Sequence, residues 1–108
     1  MSNQEFAECD VWVLVSLIYV QKPATPEMIR RAGDFVNHAI MTDEELFGGL
    51  KRLSTAAYAV EVLPNEWDIS ETTNQLNSKI DEIAKIQNDY SPGAAYSVAE
   101  QLLGFTID

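Results

Sequence analysis

Basic residues are scarce in this chain. Seven Lys and Arg stand against seventeen Asp and Glu among 108 residues, a formal net charge of −10 at pH 7. Nucleic-acid affinity rests largely on Lys and Arg displacing condensed counterions, so this balance argues against a non-specific polyanion binder. Anionic membrane surfaces are disfavoured for the same reason. Cysteine is nearly absent: Cys9 stands alone, so no internal disulfide forms and nothing points to an oxidising compartment. Cys9 also lacks a basic neighbour in sequence that would activate its thiol. The one histidine, His38, has Asp34 and Asp43 nearby in sequence, too few ligands for a metal site of recognisable spacing. Long apolar runs are missing too. The longest, residues 11–20, is interrupted by Ser16 and is too short to span a bilayer. The amino terminus has no basic region of the secretory kind, and the expected location is the cytoplasm. No glycine-rich phosphate loop, nucleophile elbow or CxxC pair occurs. The expectation is therefore no cofactor, no metal and no enzymatic activity.

What remains is the composition of an ordinary globular domain, 46% hydrophobic and 22% charged, of a length that suits one domain with one core. Residues 10–21 ("DVWVLVSLIYVQ") are apolar almost all round. Their length, with Glu5 and Glu8 leading in, favours a helix beginning near Ser2. Such a helix must be covered by neighbours on several sides. Pro23 ends it. Thr25-Pro26-Glu27 then gives a strong helix start: a capping hydroxyl, a proline at the first helical position and an acid near the positive end. Met28, Ile29, Ala32, Phe35 and Val36 follow at helical spacing, with Gly33 weakening the middle. After the connector "NHAIM", Thr42 and Glu45 form a capping box for a third helix. Its apolar stripe is Leu46, Leu50 and Leu53, flanked by Phe47.

"AAYAVEVLPNEWDIS" alternates like a hairpin, with Tyr58, Val60 and Val62 on one face of the first strand, a turn at Pro64-Asn65, and Trp67 and Ile69 beyond it. Leu76, Ile80 and Ile83 then mark an amphipathic helix, and residues 88–93 a loop. A last helix from Ser91-Pro92 carries Ala95, Val98, Ala99 and Leu102 on one face. Gly104 stops it, and Phe105 is placed to fold back on the last turn.

The order helix, helix, turn, helix, two-stranded hairpin, helix resembles the winged-helix family, a variant of the helix-turn-helix fold. The stretch that carries the resemblance is residues 25–70. "ATPEMI" is similar to the start of the family's second helix. "LKRLSTAAYAVEV" is similar to the end of its recognition helix running into the first wing strand, and "EWDISETTNQL" to the second wing strand entering a further helix. Ala57 stands where family members usually have a left-handed glycine, and the connector before Thr42 is longer than the family's tight turn. The fold expected is thus mainly α with a small β-hairpin: a winged-helix-like core over residues 10–70 and two further helices over residues 71–108, in one domain.

The resemblance implies a nucleic-acid face on the second and third helices, where Arg30, Arg31, Lys51 and Arg52 could gather into one basic patch. On a helical wheel Leu46, Phe47, Leu50 and Leu53 point inward, and Glu44, Gly48, Lys51 and Arg52 lie opposite with Glu45 at the edge. The front of that face is acidic, as is the wing tip with Glu66 and Asp68. The charge pattern therefore favours a non-catalytic interaction or regulatory domain acting through protein–protein contacts, as a homodimer, with Glu44, Glu45, Gly48 and Trp67 as candidate surface residues. The alternative is a DNA-binding transcriptional regulator using the four basic residues. Gly48-Gly49 inside a helix costs about 1 kcal/mol per residue relative to Ala and points to a close approach at the backbone.

Overall fold

The computed structural model describes residues 6–87 and 92–105. The chain is mainly helical with a small antiparallel hairpin. Its elements run α1 (Glu8–Tyr19), α2 (Pro26–Asn37), α3 (Asp43–Thr55), β1 (Ala59–Leu63), β2 (Glu66–Ile69), α4 (Glu71–Gln87) and α5 (Pro92–Leu103).

The apolar helix sits at the centre. Every residue of α1 from Asp10 to Ile18 is buried, because α2, α3, α5 and β2 all pack on it. Two crossings on α1 are made close by glycine. At Gly33 of α2, a Cβ would stand 2.7 Å from Met41 Cε, 3.2 Å from Ser16 Oγ and 3.2 Å from Trp12 Nε1. The backbone there also accepts a hydrogen bond from the Trp12 indole, Nε1 to the Gly33 carbonyl at 2.9 Å. At Gly49 of α3, a Cβ would stand 2.8 Å from Val13 Cγ2 and 3.1 Å from Asp10 Oδ1. Gly33 thus fits the middle of α2 instead of interrupting it, since tertiary packing outweighs its propensity. The close approach inferred at Gly48-Gly49 is with α1 and falls on Gly49.

The helix ends follow local chemistry. Thr25 Oγ1 accepts from the Met28 amide, with Pro26 at the first helical position. Thr42 Oγ1 accepts from the Glu45 amide at 3.1 Å, and the Glu45 carboxylate accepts from the Thr42 amide at 2.9 Å. α2 closes on His38 in the left-handed region at φ 55°. Lys22 closes α1 from beyond its end, its ammonium donating to the carbonyls of Leu17, Ile18 and Val20. Burial lowers the Lys22 pKa from its ordinary value, and Asp68 opposes that shift. In α5, Gly104 is left-handed at φ 87° and the Phe105 amide bonds back to the Glu100 carbonyl, as the sequence suggested.

The hairpin pairs Ala59 with Ile69, Val60 with Asp68, Glu61 with Trp67 and Leu63 with Glu66, with a bulge between Glu61 and Leu63. Ala24, in the link between α1 and α2, bridges to the far side of β2, exchanging both backbone hydrogen bonds with Trp67 at 2.8 Å. The second strand is thereby anchored to the core, and the buried side chains of the hairpin are Ala59 and Trp67. The strand face carrying Val60 and Val62 looks outward. The Tyr58 carbonyl receives the Ser70 amide at 3.2 Å and the buried Thr73 hydroxyl at 2.7 Å, which fixes the start of α4.

Some expectations change. Phe47 does not join the inward stripe of Leu46, Leu50 and Leu53 but is exposed, and Phe35 of α2 is exposed as well. α1 does not start near Ser2: Ala7 is extended and caps a helix that begins at Glu8. Most of the loop at residues 88–93 falls outside the described residues, as do the side chains of Leu76, Ile80, Ile83, Ala95 and Val98. Ala99 and Leu103 are buried, and Leu102 packs on the core in part. No helix among the described residues is long and apolar enough to cross a membrane.

Ala57 adopts the left-handed conformation after all, at φ 68°, although L-residues lose about 1–2 kcal/mol there. Ala57→Gly is expected to stabilise the protein by about 0.5–1 kcal/mol, the relieved strain being partly offset by greater freedom of the unfolded chain. Gly49→Ala is expected to do the reverse. It gains about 1 kcal/mol of helix propensity but overpacks against Val13 at a cost of about 1–3 kcal/mol. Urea denaturation of both variants checks the two signs.

Candidate functional site

The basic residues singled out by the resemblance lie on α2 and α3, and most are engaged within the chain. Arg52 points back over the last turns of α3 to Asp10 at the start of α1. Its Nε donates to Asp10 Oδ2 at 2.6 Å and its Nη2 to Oδ1 at 2.8 Å, a two-pronged pair. The Asp10 side chain is fully buried, while that of Arg52 keeps 39% of its surface in solvent. The same carboxylate accepts the Ala7 amide at 2.9 Å, so Asp10 also caps the amino end of α1. The pairing with Asp10 raises the Arg52 pKa above its already high ordinary value.

Gly48 belongs to this arrangement. A Cβ there would lie 3.3 Å from Arg52 Nη2, so a bare backbone at Gly48 leaves room for the guanidinium to lie along the helix. Arg30 of α2 pairs with Asp43 in the first turn of α3, tying the two helices together. Arg31 sits 3.7 Å from Glu27, one turn earlier on α2, and is 79% exposed. Lys51 is exposed on α3 and has no ion-pair partner among the described residues. Three of the four cations thus stand beside carboxylates of the chain, Arg52 at Asp10, Arg30 at Asp43 and Arg31 at Glu27, and Lys51 is exposed.

The surface residues proposed for protein contact divide in the same way. Glu44 is exposed, and Glu45 is half-buried as part of the cap. Trp67 is withdrawn from this role: it is buried on the core beside the Ala24 bridge. The exposed apolar residues of the hairpin are instead Val60, Val62 and Leu63. Asp10 and Lys22 were missed as structural partners. An acid opening an otherwise apolar helix was the available signal for Asp10, since a carboxylate in that setting needs a cation.

Two open depressions accompany these features. One, of about 450 Å³, is lined by Thr72, Gln75, Ser78, Lys79 and Glu82 of α4 with Leu102 of α5. The other, of about 210 Å³, lies beside Arg30 and Arg31 with Glu27, Asp34 and Ile40. Among the described residues no group of His, Cys, Asp and Glu converges as a metal site. His38 is exposed and closes α2 through its backbone amide, bonded to the Asp34 carbonyl. No protein-family model, curated protein or solved structure matches this chain.

Arg52→Met leaves the buried Asp10 with the Ala7 amide as its remaining strong donor. Breaking a buried pair from one side costs roughly 3–5 kcal/mol. The partial solvation of Arg52 reduces this, so a loss of about 2–3 kcal/mol is expected. The double variant Asp10→Leu with Arg52→Met is expected to recover most of that loss, whereas Lys51→Met should stay within about 0.5 kcal/mol of the parent. Chemical denaturation of the three proteins checks the order.

Cys9 lies against the same cluster, its thiol 3.8 Å from Asp10 Oδ1. Burial pushes its pKa up, with further contributions from Asp10 and Glu45, while Arg52 opposes them. The thiolate is the reactive form, so Cys9 in the folded protein should be alkylated by iodoacetamide at pH 8 more slowly than in the urea-unfolded chain. Equal or faster labelling of the folded form would contradict this placement.

Proposed function

We propose that the protein is a winged-helix-like interaction or regulatory domain, non-catalytic, which works through protein–protein contacts as a homodimer in the cytoplasm. The resemblance in residues 25–70 is supported by the element order from α1 to β2 and by the single bridge that Ala24 adds to the hairpin. One observation carries the choice of protein over nucleic acid: Arg30 and Arg52, two of the four candidate phosphate contacts, are paired with Asp43 and Asp10. A cation already held by a carboxylate brings little counterion release on meeting a phosphate. The exposed Glu44 at the front of α3 would meet a polyanion with like charge.

The alternative, a DNA-binding regulator, relies on Lys51 and Arg31 as exposed cations. Lys51 and an Arg31 already beside Glu27 make a poor phosphate clamp for a chain of net charge −10.

In a low-salt mobility-shift assay with mixed genomic fragments, the protein is expected to leave DNA unshifted at micromolar concentration. Binding that weakens steeply as salt rises would overturn the reading in favour of the DNA regulator. Sedimentation equilibrium tests the homodimer, and a monomer across the accessible concentration range would remove that part.

A further inference from the structure

β2 has both edges paired within the protein, while β1 has, among the described residues, one edge without a partner. β2 is flanked by β1 on one side and by Ala24 on the other. β1 pairs with β2 alone, and among the described residues no other backbone group bonds to Ala59–Leu63. Exposed edge strands are usually blunted by lysine, proline or cover from another element. β1 reads Ala-Val-Glu-Val-Leu and contains neither lysine nor proline. It presents Val60, Val62 and Leu63 to solvent at 41%, 45% and 57% exposure. Carboxylates border this apolar strip. Asp68 lies opposite Val60, Glu66 opposite Leu63, and Glu61 sits within the strand itself. The hairpin holds no basic residue.

We propose that the open edge of β1 is a docking site for an extended segment of a partner protein in which apolar residues alternate with Lys or Arg. This rests on the protein-contact reading above and names the surface and the partner chemistry. Backbone groups of the segment would complete the unpaired ladder of β1, its apolar side chains would cover Val60 and Val62, and the cations on its other face would meet Glu61, with Glu66 and Asp68 on β2 adding to the negative field. A second copy of this chain is a poorer occupant. Pairing β1 with β1 of another copy brings the two Glu61 side chains onto adjacent strands, and like charges there are destabilising. The bulge between Glu61 and Leu63 also bends the edge, which hinders long flat pairing of two identical strands. A short foreign segment needs only the straight part.

The test is an amide-resolved NMR titration of the full chain with a short blocked peptide of alternating Lys and Val, alongside its counterpart of alternating Glu and Val. Saturable shifts concentrated on Ala59–Leu63 are expected with the Lys peptide, with the Glu peptide at least about tenfold weaker. Val62→Lys is expected to weaken the Lys peptide by about tenfold or more, with an unchanged thermal melt because Val62 is exposed. Equal responses to both peptides, shifts centred away from β1, or the absence of saturation would overturn the proposal. A dimer that dissociates on Val62→Lys would also overturn it by assigning the edge to a second copy. Each of these can occur while DNA remains unbound, so failure here is separable from failure of the protein-contact reading.

Discussion

The Asp10 carboxylate is fully buried at the start of a helix that is itself buried on all sides, and it must be answered by a cation. Arg52 is the residue that answers it. A lone buried carboxylate is costly enough that the chain would otherwise hold it protonated or leave it in solvent. The requirement fixes more than one contact. It sets α3 against α1 with a defined rotation, because Nε and Nη2 of Arg52 must both reach the carboxylate. It leaves Gly48 as the place along α3 where the guanidinium lies back over the helix, and Gly49, beside it, as the place where Val13 and Asp10 come closest. The same pair engages the Arg52 guanidinium, although the side chain keeps 39% of its surface in solvent. Arg52, one of the four candidate phosphate contacts, is thus a residue that the fold itself uses.

That coupling explains why the fold was legible in the sequence and the site was not. Helix starts at Thr25 and Thr42 and the stop at Gly104 are local chemistry, written within three or four residues, and they appear where expected. The Leu46, Leu50 and Leu53 stripe is likewise periodic and is buried. Partner choice is different. Asp10 and Arg52 are 42 positions apart, and nothing in periodicity links them. Arg30 and Asp43 are closer in sequence, but their pairing depends on the angle between α2 and α3. Without tertiary geometry the four basic residues read as a patch. With it three of them stand beside Asp43, Glu27 and Asp10, and Lys51 is left exposed.

Phe47 and Trp67 show the same limit from the apolar side. Hydrophobicity says that a residue gains from burial, but not which positions the neighbours can cover. α1 takes its cover from α2, α3, α5 and β2. Trp67, fixed by the backbone bridge to Ala24, falls inside this shell, and Phe47 falls outside it. On the hairpin the inner positions go to Ala59 and Trp67, so the branched residues Val60 and Val62 are left on the outside. A left-handed Ala57 precedes that strand and aims it. The backbone path therefore took precedence over the residue's own preference.

The remaining argument concerns range. Screening confines the field of surface charge to about 8 Å at physiological ionic strength. The net charge of −10 therefore matters to a partner at a distance mainly as a bias on encounter, felt in the association rate and removed by salt. Close contact is governed by what lies within a few ångströms of a given surface. At the front of α3 that is carboxylate, with Arg30 already paired to Asp43. On β1 it is apolar side chain and unpaired backbone with carboxylates alongside. These two surfaces should respond to salt differently. Contacts on α3 are ionic and lose strength as salt rises. An added strand on β1 draws on backbone hydrogen bonds and apolar cover, which salt leaves nearly untouched, so its dissociation rate should stay almost constant while its association rate falls.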